Sequence, residues 1–171
     1  DEGLEVTEVS DLTEMPELMG GRVKTLHPYI HAGILARRGH DEDISALDEH
    51  GIRPFDLVCV NLYPFSDVIA QSDTSEGDAI EMIDIGGPAM LRAAAKNFLH
   101  VVPVCSPDQY EFVLNELRLK GNISIETRRE LAAVAFTYTA DYEAKIANWF
   151  VTGDLLPEKL LVSFEKDVDL S

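Results

Sequence analysis

The stretch FDLVCVN, Phe55 to Asn61, decides the fold. Its apolar residues run nearly unbroken over the length of a strand instead of alternating with polar ones, the pattern of a parallel strand covered on both faces. VVPVC, Val101 to Cys105, repeats it. Around these two runs the sequence reads as helix. Glu42 to His50 stops at Gly51, and Ser75 to Ile83 opens on a serine cap with Asp78 three residues on, close to a capping box. Gly86-Gly87-Pro88 opens a helix through Asn97 with Pro88 at its first position. Ser106-Pro107-Asp108 opens another through Lys120, stopped by Gly121. From Ser124 to about Val151, residues Leu131, Val134, Ala135, Tyr138, Tyr142 and Ile146 recur at helical spacing. Buried strands alternating with helices predict an α/β fold with a mainly parallel sheet flanked by helices. Pro103 cannot donate to a ladder, so its strand is expected at an edge or a bulge. Leu160 to Phe164 reads as a short extended segment followed by an acidic tail.

A length of 171 residues, 46% of them hydrophobic and 26% charged, suits one domain with a substantial core. No apolar run approaches the roughly 20 residues that span a bilayer, and Asp1 to Glu8 lacks the pattern of a signal peptide. A cytoplasmic protein without a membrane partner is expected. Cys59 and Cys105 fall in the two strand runs with no CxxC spacing and are expected to be buried thiols, neither a disulfide nor a metal pair. The chain carries 31 acidic against 14 basic residues, a net charge of −17, which argues against an extended nucleic-acid surface. Yet Gly20 to His40 and Ile85 to Pro107 contain no acid, where the average density would place roughly four in each. These windows hold Arg22, Lys24, Arg37, Arg38, Arg92 and Lys96. Two segments kept clear of negative charge in an acidic protein predict a site for a small anion where they meet.

Several constellations could carry chemistry. In Gly20 to Pro28 two glycines permit a tight turn, and Arg22, Lys24 and Thr25 offer a forked cation, a point charge and a hydroxyl to one ligand; the alternative is a surface turn with solvated charges. Gly86 and Gly87 precede a helix, so their amides and the helix dipole can face an oxyanion, with Asp84 beside them as proton acceptor or, equally, as a helix cap. Arg92 and Lys96 lie four apart on one helix face. They either share an anion or, for Lys96, serve the helix C-terminus. In open parallel sheets ligands bind beyond the carboxyl ends of the strands, which marks Asn61, Leu62, Tyr63 and Pro64; the tyrosine presents its hydroxyl there or packs under a loop. His27 and His31 are separated by Pro28 and lack an obvious third ligand, so a structural role is expected and no metal. Trp149 and Phe150 read as core or interface anchors.

Three of these segments, in order, resemble a known family: GRVKTLHPYIHAGILARR (Gly21 to Arg38), FDLVCVNLYPF (Phe55 to Phe65) and IDIGGPAMLRAAAKN (Ile83 to Asn97). They are similar to the inosine monophosphate cyclohydrolase domain of the bifunctional purine-biosynthesis enzyme that also carries AICAR transformylase, and the likeness runs from Val6 to about Phe150. The resemblance implies a methylglyoxal-synthase-like fold over residues 1–156, with 157–171 the start of a linker to a transformylase domain. It implies ring closure of the nucleotide formyl-AICAR (FAICAR) to IMP with loss of water, no cofactor for that step, 10-formyltetrahydrofolate for the transformylase step, and a homodimer. By matching positions it makes Lys24, Tyr63, Asp84 and Lys96 catalytic and Arg22, Thr25, Asn61, Ile85, Gly86 and Gly87 substrate-binding. A phosphate-binding regulatory module of the same fold, a methylglyoxal synthase and an inactive fragment are the competing readings.

The family's opening βαβ portion, with its Ser-Val-Ser-Asp-Lys and Ser-Thr-Gly-Gly-Thr turns, has no counterpart in this sequence. Those turns are expected to hold the nucleotide phosphate, so the chain is read as N-terminally truncated and a weak binder of FAICAR by itself. Phe98 stands where the family usually has histidine.

Overall fold

The computed structural model describes residues 3–151, 160–162 and 164. Two strands, β1 (Leu57–Cys59) and β2 (Val102–Val104), pair in parallel with Val58 opposite Pro103. The alternation of a parallel ladder explains how proline is tolerated: the Val102 N–H donates to Asp56 O at 2.9 Å and Val104 O accepts from the Val60 N–H at 2.9 Å, so the Pro103 nitrogen points away from β1. Among the described residues β2 has no strand on its other side, which meets the expectation of an edge.

Eight α-helices accompany these strands among the described residues: α1 (Val9–Thr13), α2 (Pro28–Leu35), α3 (Asp41–Glu49), α4 (Phe65–Ile69), α5 (Glu76–Glu81), α6 (Gly86–Lys96), α7 (Tyr110–Lys120) and α8 (Ile125–Trp149). Local chemistry sets their ends. The Ser75 hydroxyl accepts from the Asp78 N–H at 3.1 Å, Ser106 and Gln109 form a capping box ahead of α7, and Gly121 ends α7 at φ 67°. The helix at Gly86 starts two residues earlier than its proline suggested, so Pro88 occupies the third position.

Helix α6 is the centre of the molecule. It lies against both strands and between α2 and α8. Its Leu91 and Ala94 are fully buried, and burying one leucine is worth about 2 kcal/mol. The main core joins Ile34, Val58, Leu62, Phe65 and Leu91 to Ala135, Tyr142 and Ile146 of α8, while Val102 and Val104 turn the other way onto Val113, Ile123 and Leu131. Trp149 packs edge-on against Phe65 at 5.6 Å, as an anchor should, whereas Phe150 is exposed. The stripe on α8 holds except at Val134, which is exposed.

Coverage on both faces, expected of each strand, is true of β2 alone. Leu57 and Cys59 are exposed, so the thiol of Cys59 is not buried; Cys105 is. The strands are also shorter than the apolar runs that announced them. Residues 160–162 and 164 form no strand, and the rest of the 157–171 segment and the boundary at 156 lie outside the described residues.

Asn97 locks α6 to α2. Its buried amide donates to Ile34 O at 2.7 Å and to Ala36 O at 3.0 Å. Asn97→Ala leaves two carbonyls unserved in the interior and is expected to destabilise the fold by about 2 kcal/mol, read as a lower urea midpoint at unchanged m-value.

Candidate active site

Beyond the carboxyl ends of the strands, three segments enclose a cavity of about 740 Å³. The first is the loop before α2. Leu18 and Val23 exchange backbone hydrogen bonds at 3.0 and 3.3 Å, closing a turn in which Met19, Gly20 and Gly21 all have positive φ. Gly21 sits at φ 100°, a backbone conformation that strains any residue with a side chain. The turn projects Arg22, Lys24 and Thr25 to the cavity wall. The second segment leaves β1 through Val60 and Asn61 to Tyr63, about half exposed at the mouth and anchored by buried Phe65 next to it.

The third segment is the start of α6. Asp84 Oδ1 accepts from the Gly87 N–H at 2.8 Å, so the carboxylate is a helix cap. Oδ2 has no hydrogen-bond partner among the described residues, and neither do the N–H groups of Ile85 and Gly86. The backbone of Asp84 is fixed independently: its N–H donates to Tyr142 Oη at 2.9 Å, and that hydroxyl donates to Met82 O at 3.1 Å. Burial pushes the Tyr142 phenol above its usual pKa, so it stays a neutral hydroxyl able to do both. Both glycines are required by closeness. A Cβ on Gly86 would collide with Thr25 Oγ1, and one on Gly87 with the Asp84 carboxylate and, at 2.9 Å, Leu62 Cδ2. The result is a carboxylate with a free oxygen beside amides at the positive end of a helix dipole, an arrangement that can accept a proton and stabilise an oxyanion.

Nine of the ten residues singled out from the sequence line this cavity: Arg22, Lys24, Thr25, Asn61, Tyr63, Asp84, Ile85, Gly86 and Gly87. Lys96 does not. It stands ten helical steps beyond Gly86 on α6, about 15 Å along the axis, and lines a different groove. Two carboxylates escaped the sequence reading. Glu81 grips Arg22 through both oxygens at 2.8 and 3.1 Å, and Glu17 holds Lys24 at 3.1 Å. Glu17 also raises the Lys24 pKa by hydrogen bond and charge, so the ammonium is firmly protonated at neutral pH. Their one signal in the sequence was position, since each lies just before the start of an acid-free window. His27 is structural, its Nδ1 accepting from the Tyr29 N–H at 3.2 Å, and among the described residues no three His, Cys, Asp or Glu converge as a metal site.

The fold has counterparts. Residues 1–89 match the model of the MGS-like domain, and residues 94–171 match that of the AICARFT/IMPCHase bienzyme. A solved structure described as the crystal structure of ForH superposes with a TM-score of 0.76 at 42% identity, over 86% of this chain and 76% of that one. This chain is an MGS-like domain of the AICARFT/IMPCHase bienzyme family. Its curated relatives include the bifunctional purine biosynthesis protein PurH of Halalkalibacterium halodurans, 55% identical over 98% of the chain, and PurH of Bacillus subtilis, 49% identical over the same share. The chain spans 33% of the length of each. For this family member the two glycines make a sharp test. Gly87→Ala must displace Asp84 or Leu62 and is expected to cost about 1–3 kcal/mol in urea unfolding, whereas Gly39→Ala, with open space around its Cβ, should be neutral within about 0.5 kcal/mol.

Proposed function

We propose that this chain carries the ring-closing site of purine biosynthesis, converting FAICAR to IMP with loss of water. The observation that carries the proposal is the meeting of Lys24, Tyr63 and Asp84 around the free amides of Ile85 and Gly86 in one cavity. In the reaction the carboxamide nitrogen attacks the formyl carbon. A C–N bond forms, the formyl oxygen becomes the hydroxyl of a carbinolamine, and that oxygen departs as water with one proton from the carboxamide and one from the formamide nitrogen. Both reacting groups belong to one molecule, so holding them in contact supplies much of the rate.

Asp84, its Oδ1 fixed by the Gly87 N–H, presents Oδ2 to take the carboxamide proton, with the Tyr63 hydroxyl alongside. The Ile85 and Gly86 amides and the Lys24 ammonium stabilise negative charge as it develops on oxygen. Lys24 then serves as charge and proton relay to the leaving hydroxyl. Arg22, Thr25 and Asn61 orient the nucleotide. The Arg22–Glu81 and Lys24–Glu17 pairs are more than 40% exposed on each side, where solvent screens them, so an anionic substrate exchanges with Glu81 and Glu17 at little cost. The relatives are named bifunctional; we assign the second activity, formyl transfer from 10-formyltetrahydrofolate, to sequence outside this chain, in a homodimeric cytoplasmic protein.

The test is a spectrophotometric assay of IMP formation from FAICAR by a polypeptide of the relatives' full length with this chain's sequence. Lys24→Ala and Asp84→Ala should each lower kcat by about a hundredfold or more; Lys24→Ala should melt as the parent does, and Asp84→Ala, which also loses the α6 cap, should melt somewhat lower but still fold. Near-normal turnover by either folded variant refutes the assignment.

A further inference from the structure

At the far end of α6 from the candidate site, α2, α6 and α8 enclose a second groove of about 740 Å³. Seven basic residues of the described chain are paired with carboxylates, as expected where acids outnumber bases two to one. Arg92, Lys96 and Arg129 make no ion pair among the described residues, and all three line this groove. Each arginine is held over an aromatic face: Arg92 lies 5.6 Å from the centre of the Phe136 ring and Arg129 4.7 Å from that of Phe98. Because Arg92 meets the later residue on α8 and Phe98 the earlier one, the two helices run antiparallel; Lys96 lines the same groove. Ala89 and Ala93 from α6 with Ala132 and Ala133 from α8 line it as well, small side chains that leave room between the cations. His31 lines it too, with a buried Nε2 that has no hydrogen-bond partner among the described residues. Both acid-free windows contribute, His31 and Leu35 from one, Arg92 and Lys96 from the other.

We propose that this groove is a second binding site, for a small phosphate ester carrying a planar ring. Three unpaired cations call for about two negative charges, which a phosphate ester supplies and a monocarboxylate does not. A guanidinium beside a phenylalanine ring offers a planar surface on which a further ring can stack. The volume is that of a small-molecule site. The α6 C-terminus opposes an anion with about half a unit charge, outweighed by three full cations.

The experiment is an amide NMR titration of the 171-residue chain with AMP, with ribose 5-phosphate and adenosine as controls lacking ring and charge respectively. AMP should produce saturable shifts at Phe98, Arg129, Ala133 and Phe136, about tenfold weaker for ribose 5-phosphate and for adenosine. Arg92→Gln/Arg129→Gln should abolish them, Ala133→Leu should block them by filling the groove, and Lys24→Ala at the other site should leave them unchanged. Absence of shifts at these amides, equal binding of adenosine, or binding that survives Ala133→Leu overturns the proposal. Concentration-dependent self-association abolished by Ala133→Leu also overturns it, by making a second copy the occupant.

Discussion

Helix α6 can begin where it does because Gly86 and Gly87 have no side chains. Thr25 from the loop before α2, Leu62 from the chain leaving β1 and the carboxylate of Asp84 all occupy space that a Cβ would need. Three segments distant in sequence therefore close on one backbone junction, and everything proposed for the site depends on that closure. It turns free amides toward the cavity, brings the Lys24 loop within reach of them, and sets Asp84 with one oxygen engaged and one available. Behind the junction, the Tyr142 hydroxyl braces Asp84 and Met82, while Asn97 fastens the other end of α6 to α2. The helix is held at both ends by polar groups and along its length by apolar contact.

Electrostatics gives the two ends of α6 different characters. At the N-terminal end Arg22 and Lys24 already have partners, Glu81 and Glu17, which act as replaceable counter-charges; exposed pairs of this kind exchange readily for a charged ligand. At the C-terminal end Arg92, Lys96 and Arg129 make no ion pair among the described residues, and the two arginines lie over aromatic rings instead. The acid-free windows meet at both ends, so one compositional feature of a chain with net charge −17 serves two places.

Much of this was legible in the sequence. Serine caps, the Gly121 stop and the edge position of Pro103 followed from local chemistry that tertiary structure did not override. Nine candidate residues came together because motifs at loop–helix junctions carry their geometry with them. Lys96 lines a different groove for a geometric reason: Gly86 begins and Lys96 ends one rigid helix of eleven residues, so a shared motif does not bring them to one cavity. Exposure of Leu57 and Cys59 was illegible because an apolar run does not reveal whether a covering layer exists on each face. Glu17 and Glu81 were hidden since ion pairing across dozens of residues leaves no periodic trace.

The central claim is that ring closure occurs against the start of α6. A crystal structure of a full-length family member bearing this sequence, with IMP bound, tests it most directly. The account predicts the purine ring in the cavity, an oxygen or nitrogen of the six-membered ring within about 3.2 Å of the Ile85 or Gly86 amide, and Asp84 Oδ2 at hydrogen-bond distance from the ring nitrogen that formed the new bond. A nucleotide whose ring lies away from the α6 N-terminus, with Asp84 and Lys24 untouched, would contradict it.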